Sequence, residues 1–116
     1  MQHNNYKEDR PWGSFEILHE ENELKIKRII VKPQSRLSLQ SHQHRSENWT
    51  IIKGEAVVTI DDKEIPCSAN NSVFIPAQAK HRISNQGEQD VIFIEVQTGS
   101  YLGEDDIVRY QDDYNR

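Results

Sequence analysis

The chain contains a single cysteine, Cys67, so no disulfide can form within it and a reducing compartment is the expected setting. Cys67 itself reads as a small, partly buried residue at a strand end rather than as a nucleophile. No apolar run approaches the roughly 18 residues needed to cross a membrane. The opening residues, Met1 to Arg10, carry no apolar signal core, so a cytoplasmic protein without a membrane partner is expected. Cations are also in short supply: 14 Lys and Arg stand against 19 Asp and Glu, a net charge of -5. A nucleic-acid partner needs a basic stripe and is not expected. With 34% hydrophobic residues and a mean hydropathy of -0.85, the chain is too polar for helices packed on both faces of a parallel sheet. Antiparallel sheets with one solvated face fit better, because every second residue is then free to be polar.

No long amphipathic helix is legible. The 116 residues form one domain, large enough to bury a core without cross-links. Short strands separated by turn residues are expected at 14–19, 24–32, 37–42, 47–53, 56–61, 63–66, 72–75, 81–85 and 90–97. Asp61-Asp62 is a tight hairpin loop, and Gly54 and Asn85-Gln86-Gly87 mark reversals. This spacing points to an all-β sandwich or small barrel. Residues 1–10 read as a loose polar arm. Residues 99–116 read as a packed extension, since Tyr101, Ile107, Val108, Tyr110 and Tyr114 are too many apolar anchors for a free tail.

Two segments carry the chemistry. One runs from Leu39 through Gln40, His42, His44 and Glu47 to Gly54; the other from Pro76 through His81 to Asn85. Strand alternation places Gln40, His42 and His44 on one face. An amide, imidazoles and a carboxylate form a mixed nitrogen–oxygen set suited to a divalent transition metal.

The two segments resemble the paired motifs of the cupins. The first motif is Gly, five residues, His, one, His, three or four, Glu, six, Gly; Gln34, Gln40, His42, Glu47 and Gly54 occupy its positions. The second is Gly, five, Pro, one, Gly, two, His, three, Asn; Asn70, Pro76, Gln78, His81 and Asn85 occupy those. Three motif glycines are therefore replaced, by Gln34, Asn70 and Gln78. A closer resemblance extends over nearly the whole chain. Arg10 to Phe15, Leu37 to Trp49 and Ile94 to Arg109 are similar to the type II phosphomannose isomerase domain, usually the C-terminal part of an enzyme that begins with a guanylyltransferase. The resemblance implies a double-stranded β-helix, or jelly-roll barrel. It implies a metal-dependent exchange of mannose 6-phosphate and fructose 6-phosphate by proton transfer through a cis-enediol. The chain has no nucleotidyltransferase domain, and its start at Met1 favours a stand-alone isomerase over a fragment.

The expected metal ligands are Gln40, His42, Glu47 and His81, with zinc favoured and cobalt, nickel or manganese compatible with the same donors. His44 is open between a fifth ligand, a proton-transferring base and a structural histidine. Glu95 is a second candidate base, although a strand glutamate more often faces solvent; Gln97 shares its face. For the substrate phosphate, Arg45 and Arg109 are favoured, then Lys80 and Arg82, with Arg36 and Arg116 behind them. Strand parity turns Lys80 and Arg82 away from His81. Trp12 and Trp49 read first as core residues, Trp49 near the pocket floor. Two rival readings are a metal-containing sugar or sugar-phosphate binding cupin without turnover and an iron-dependent oxygenase, against which Gln40 counts. A homodimer covering exposed sheet edges is expected.

Overall fold

The computed structural model describes residues 5–114, and among these there are strands and turns but no helix. In chain order the strands are β1 (Lys7–Arg10), β2 (Gly13–Glu21), β3 (Leu24–Val31), β4 (Ser35–Arg36), β5 (Leu39–Ser41), β6 (Arg45–Lys53), β7 (Ala56–Ile60), β8 (Lys63–Cys67), β9 (Ser72–Ile75), β10 (His81–Asn85), β11 (Val91–Gly99) and β12 (Val108–Gln111). They form two antiparallel sheets, ordered β1-β2-β3-β11-β6-β9 and β12-β5-β10-β7-β8, with β4 added to β10.

All nine expected strands are present, and three others were not expected. The arm is one of them. Lys7–Arg10 pairs with β2, from Lys7 opposite Glu16 to Arg10 opposite Gly13, so its described part is an edge strand and not a loose segment. Four consecutive charged residues hide such a strand from a hydrophobicity reading, yet charge is how an exposed sheet edge resists further pairing. The expected strand 37–42 is shortened to β5, which the chain leaves at Ser41, while β4 precedes it at Ser35–Arg36.

The replaced motif glycines have a clear backbone role. Gln34, Asn70 and Gln78 have φ of 58°, 75° and 74°, in the left-handed region where glycine is at no disadvantage. Asp61 does the same in the β7–β8 hairpin, at φ 51°. Gly54 stands at φ 90°, and a Cβ there would lie 2.6 Å from the Asp90 carbonyl oxygen. Asn85 closes the second motif as a clip: its Nδ2 donates to the Val31 and Gln89 carbonyls, and its Oδ1 accepts from the Gly87 N–H.

The inner faces of the two sheets divide the interior into an apolar end and a polar end. Along β11 the inward residues are Val91, Phe93, Glu95 and Gln97. Register aligns each with its neighbours: Phe93 lies between Ile29 and Ile51, Glu95 between Lys27 and Trp49, Gln97 between Lys25 and Glu47. Directly opposed residues share a face, so the hydrophobic layer stacks with Val58, Ile75 and Ile83 at one end. The polar layer faces the other end, where the site lies.

Candidate metal centre and its cavity

Three donors converge in the polar layer. His42 follows β5, Glu47 sits early in β6 and His81 opens β10. One ligand atom from each lies within 4.8 Å of the others, and all three residues are buried. His42 Nε2 is 3.4 Å from Glu47 Oε2, and His81 Nε2 is 3.6 Å from Glu47 Oε1.

The backbone fixes the tautomer of both imidazoles. His42 Nδ1 lies 2.7 Å from the Asp106 carbonyl oxygen, and His81 Nδ1 lies 3.0 Å from that of Ala79. A carbonyl only accepts, so Nδ1 carries the hydrogen in each ring and Nε2 presents a lone pair to the cluster. Burial, followed by the Arg45 charge, lowers His42 from 6.5 to about 4. Burial likewise lowers His81. Both rings are thus neutral at physiological pH, the form that ligates metals. His81 Nε2 has no hydrogen-bond partner among the described residues, which is costly for a buried polar atom unless a ligand fills the place. Two neutral imidazoles, a carboxylate and this orphaned lone pair fit a divalent ion.

Gln40 stands directly opposite His81 across the β5–β10 pair, so both side chains point to the same face. It lines the adjoining cavity, and its Oε1 accepts only a long bond of 3.5 Å from Ser38. His44 is not in the cluster. Alternation from His42 fails because the strand ends at Ser41, and His44 is exposed with its ring edge-on to Tyr101 at 6.3 Å. Its N–H donates to the Asp106 carboxylate, as does that of Gln43.

Glu95 faces inward, 6% exposed, and not toward solvent. It accepts hydrogen bonds from Trp49 Nε1 at 3.1 Å and from Gln97 Nε2 at 2.8 Å. The same indole N–H is 3.1 Å from Glu47 Oε1, so Trp49 bridges the two carboxylates from the floor. Burial, then the negative charge of Glu47, raises the Glu95 carboxyl from 4.5 to about 7. A group poised there can both take and return a proton near neutral pH.

Above this layer opens a cavity of about 100 Å³, continuous through Arg10, Phe15, Lys27, Glu104, Ile107 and Arg109 with an outer trough of about 500 Å³. Four cations line the inner part, Arg10, Lys27, Arg45 and Arg109, against Glu95 and Glu104. A cationic lining in a protein of net charge -5 suits an anionic ligand. Of the phosphate candidates, Arg45 and Arg109 reach this cavity. Arg109 is exposed at the rim, and no hydrogen bond or ion pair ties its side chain to another described residue. Arg82 is buried on the other side of β10, where it donates to the Leu37 carbonyl and to Gln111. Lys80 is exposed and lies over the Tyr110 ring at 4.4 Å. Arg36 pairs with Asp113, and Arg116 lies outside the described residues. Lys27 and Arg10 are cavity cations that the sequence did not single out. Lys27 Nζ is 2.7 Å from Glu104 Oε1 and 4.5 Å from the Phe15 ring centre.

The family described as "Mannose-6-phosphate isomerase C-terminal" matches residues 1–112. The alginate biosynthesis protein AlgA of Pseudomonas aeruginosa is 49% identical over 107 residues, covering 92% of this chain and 22% of that protein. Mannose-1-phosphate guanylyltransferase 2 of Escherichia coli O157:H7 is 46% identical over 105 residues, 90% of this chain and 22% of its own. The chain therefore spans less than a quarter of the length of these relatives. Among solved structures, an RmlC-like cupin from Shewanella frigidimarina superposes with a TM-score of 0.77 at 22% identity, covering 87% of each chain, which shows the fold. With its two antiparallel sheets closed as a double-stranded β-helix, the chain is a cupin and belongs to the mannose-6-phosphate isomerase C-terminal family.

Proposed function

We propose that this chain interconverts mannose 6-phosphate and fructose 6-phosphate with the help of a divalent metal ion, zinc being the first choice and cobalt, nickel or manganese alternatives. The observation that carries the proposal is the buried His42–Glu47–His81 group beneath a cavity lined by four cations, in a chain of this family. His42, Glu47 and His81 would hold the ion, with Gln40 as a fourth donor from β5. Once bound, the ion supplies Lewis acidity to the sugar oxygens.

The remaining roles fall to side chains of the cavity. Glu95 is placed to take the proton from C2 of the aldose and return it to C1, passing through a cis-enediol while the hydroxyl proton moves from O2 to O1. Its raised carboxyl suits both halves of that exchange. Arg109 at the rim, with Arg10 and Lys27 beside it, would take the phosphate, arginine offering two parallel donors. The apolar walls of Trp12, Phe15 and Ile29 exclude water from the enediol. In this reading the reverse direction, which yields mannose 6-phosphate, feeds nucleotide-sugar synthesis of the kind named for the relatives.

A coupled assay for fructose 6-phosphate formation, on protein supplied with zinc, cobalt or manganese, tests the proposal. Metal-dependent turnover that disappears in Glu47→Ala and drops by two or more orders of magnitude in Glu95→Gln is expected. Folded, metal-loaded protein without turnover would overturn it and leave a sugar-phosphate binding cupin.

A further inference from the structure

We propose that the Arg45 guanidinium holds the place of the metal in the metal-free protein, and that a loading ion drives it into the substrate cavity, where it becomes a phosphate ligand. Metal and anion binding then reinforce each other through one side chain. This rests on reading His42, Glu47 and His81 as the metal centre, and it adds a resident competitor to that centre.

Arg45 begins β6 two residues before Glu47 and on the same face, and it is 6% exposed. Its Nε and Nη2 lie 2.9 Å and 2.8 Å from Glu47 Oε2. Its Nη2 is also 3.1 Å from His42 Nε2. That nitrogen carries a lone pair, since the His42 hydrogen is on Nδ1 facing the Asp106 carbonyl, so the guanidinium donates to it. Arg45 therefore satisfies two of the three donors, while His81 Nε2 is left without a partner.

The two cations exclude one another. A metal ion held by His42 would use the same Nε2 lone pair that now accepts from Arg45, and one lone pair cannot serve both. A guanidinium does not lose its proton in a protein, so it cannot yield by becoming neutral and must move. Its way out is short. Arg45 already lines the cavity, and its Nη1 is 3.9 Å from Glu104 Oε2, which faces the same space. Displaced there, its planar fork joins Arg109, Arg10 and Lys27. Free of metal, the protein thus has a weaker anion site as well as an inactive centre.

The test is cobalt(II) binding, read from its visible absorption with and without saturating sulfate, a soluble dianion in place of the sugar phosphate. Wild type is compared with Arg45→Met and Arg45→Gln. Linkage requires that sulfate tighten cobalt binding in wild type by the same factor that cobalt tightens sulfate binding, about tenfold for a coupling of ordinary size. Both variants should bind cobalt more tightly than wild type, by about tenfold, and show no sulfate effect. Folded variants that bind cobalt no better than wild type, or that keep the sulfate effect, overturn the proposal while leaving the metal centre intact. Should the variants fail to fold, wild-type cobalt affinity unmoved by sulfate overturns it alone. Absence of cobalt binding in all three proteins overturns the metal reading and this one with it.

Discussion

Acidifying the metal-free protein should lower its stability between pH 6.5 and about 4. His42 is 3% exposed, and burial followed by the Arg45 charge holds it at about 4 in the folded state. The unfolded chain binds that proton near 6.5. Between these values the unfolded state carries the proton and the folded state does not. The stability is therefore fully present above 6.5 and lost as the pH falls toward 4. At 1.36 kcal/mol per pH unit, His42 alone accounts for about 3 kcal/mol, a large part of an ordinary domain's roughly 5–15 kcal/mol. His81 is lowered too and contributes with the same sign. Glu95 opposes them: its carboxyl is raised to about 7, so its contribution is full below 4.5 and lost as the pH rises through 7. The His42 and Glu95 spans, 6.5 to about 4 and 4.5 to about 7, nearly cancel, so the net loss on acidification is the one His81 contributes. Urea denaturation in the presence of a chelator, in small pH steps across this window, measures it. His42→Gln should shrink the fall by about 3 kcal/mol, and Glu95→Gln should steepen it. A wild-type profile that does not fall would refute the neutral burial of His81, and an unchanged slope in His42→Gln would refute the share given to His42.

Two further outcomes follow from the backbone and from the arginines. Gln78 is exposed at φ 74°, and its N–H donates to the His42 carbonyl, a bond that a glycine keeps. Gln78→Gly should stabilise the protein by about 0.5–1 kcal/mol, seen as a Tm higher by a few degrees; an unchanged or lower Tm refutes the strain. Arg82→Ala should cost about 2 kcal/mol of stability and leave KM alone, because its bonds go to Leu37 and Gln111. Arg109→Ala should leave Tm alone and raise KM for the sugar phosphate about tenfold or more, and the opposite pattern would reverse their roles.

The grouping of His42, Glu47 and His81 was legible because coordination demands fixed residue types at fixed intervals, and three glycine positions filled by Gln34, Asn70 and Gln78 did not disturb those intervals. Their positive φ values show why: the turn needs the conformation, and other residues can be held in it at some cost. Glu95 was harder, because one glutamate on a strand has no spacing partner that says which face is inside. Lys25 and Lys27 were harder still. Along β3 the set Lys25, Lys27, Ile29, Val31 is half apolar and the set Leu24, Ile26, Arg28, Ile30 three-quarters apolar, so alternation favours the wrong face. Register against β11 gives the right one, by setting Lys27 opposite Glu95 and Lys25 opposite Gln97. His44 shows the converse error, parity carried three residues past the end of a strand.

The segment after β11 is what turns a polar barrel mouth into a defined site. Gly99 lets it start, since a Cβ there would lie 2.2 Å from the His44 carbonyl and push β6 away. Asp106 then acts twice: its carbonyl fixes which nitrogen of His42 faces Glu47, and its carboxylate, by holding the N–H groups of Gln43 and His44, turns the chain so that His42 points in and His44 out. Glu104 holds Lys27 at the cavity wall, and β12 brings Arg109 to the rim opposite Gln40. The packing of one sheet on the other brings Glu47 and His81 together, but it would leave His42 free to present either nitrogen. The strands thus set the distances in this centre, while residues 99–111 set the protonation and orientation that make those distances usable.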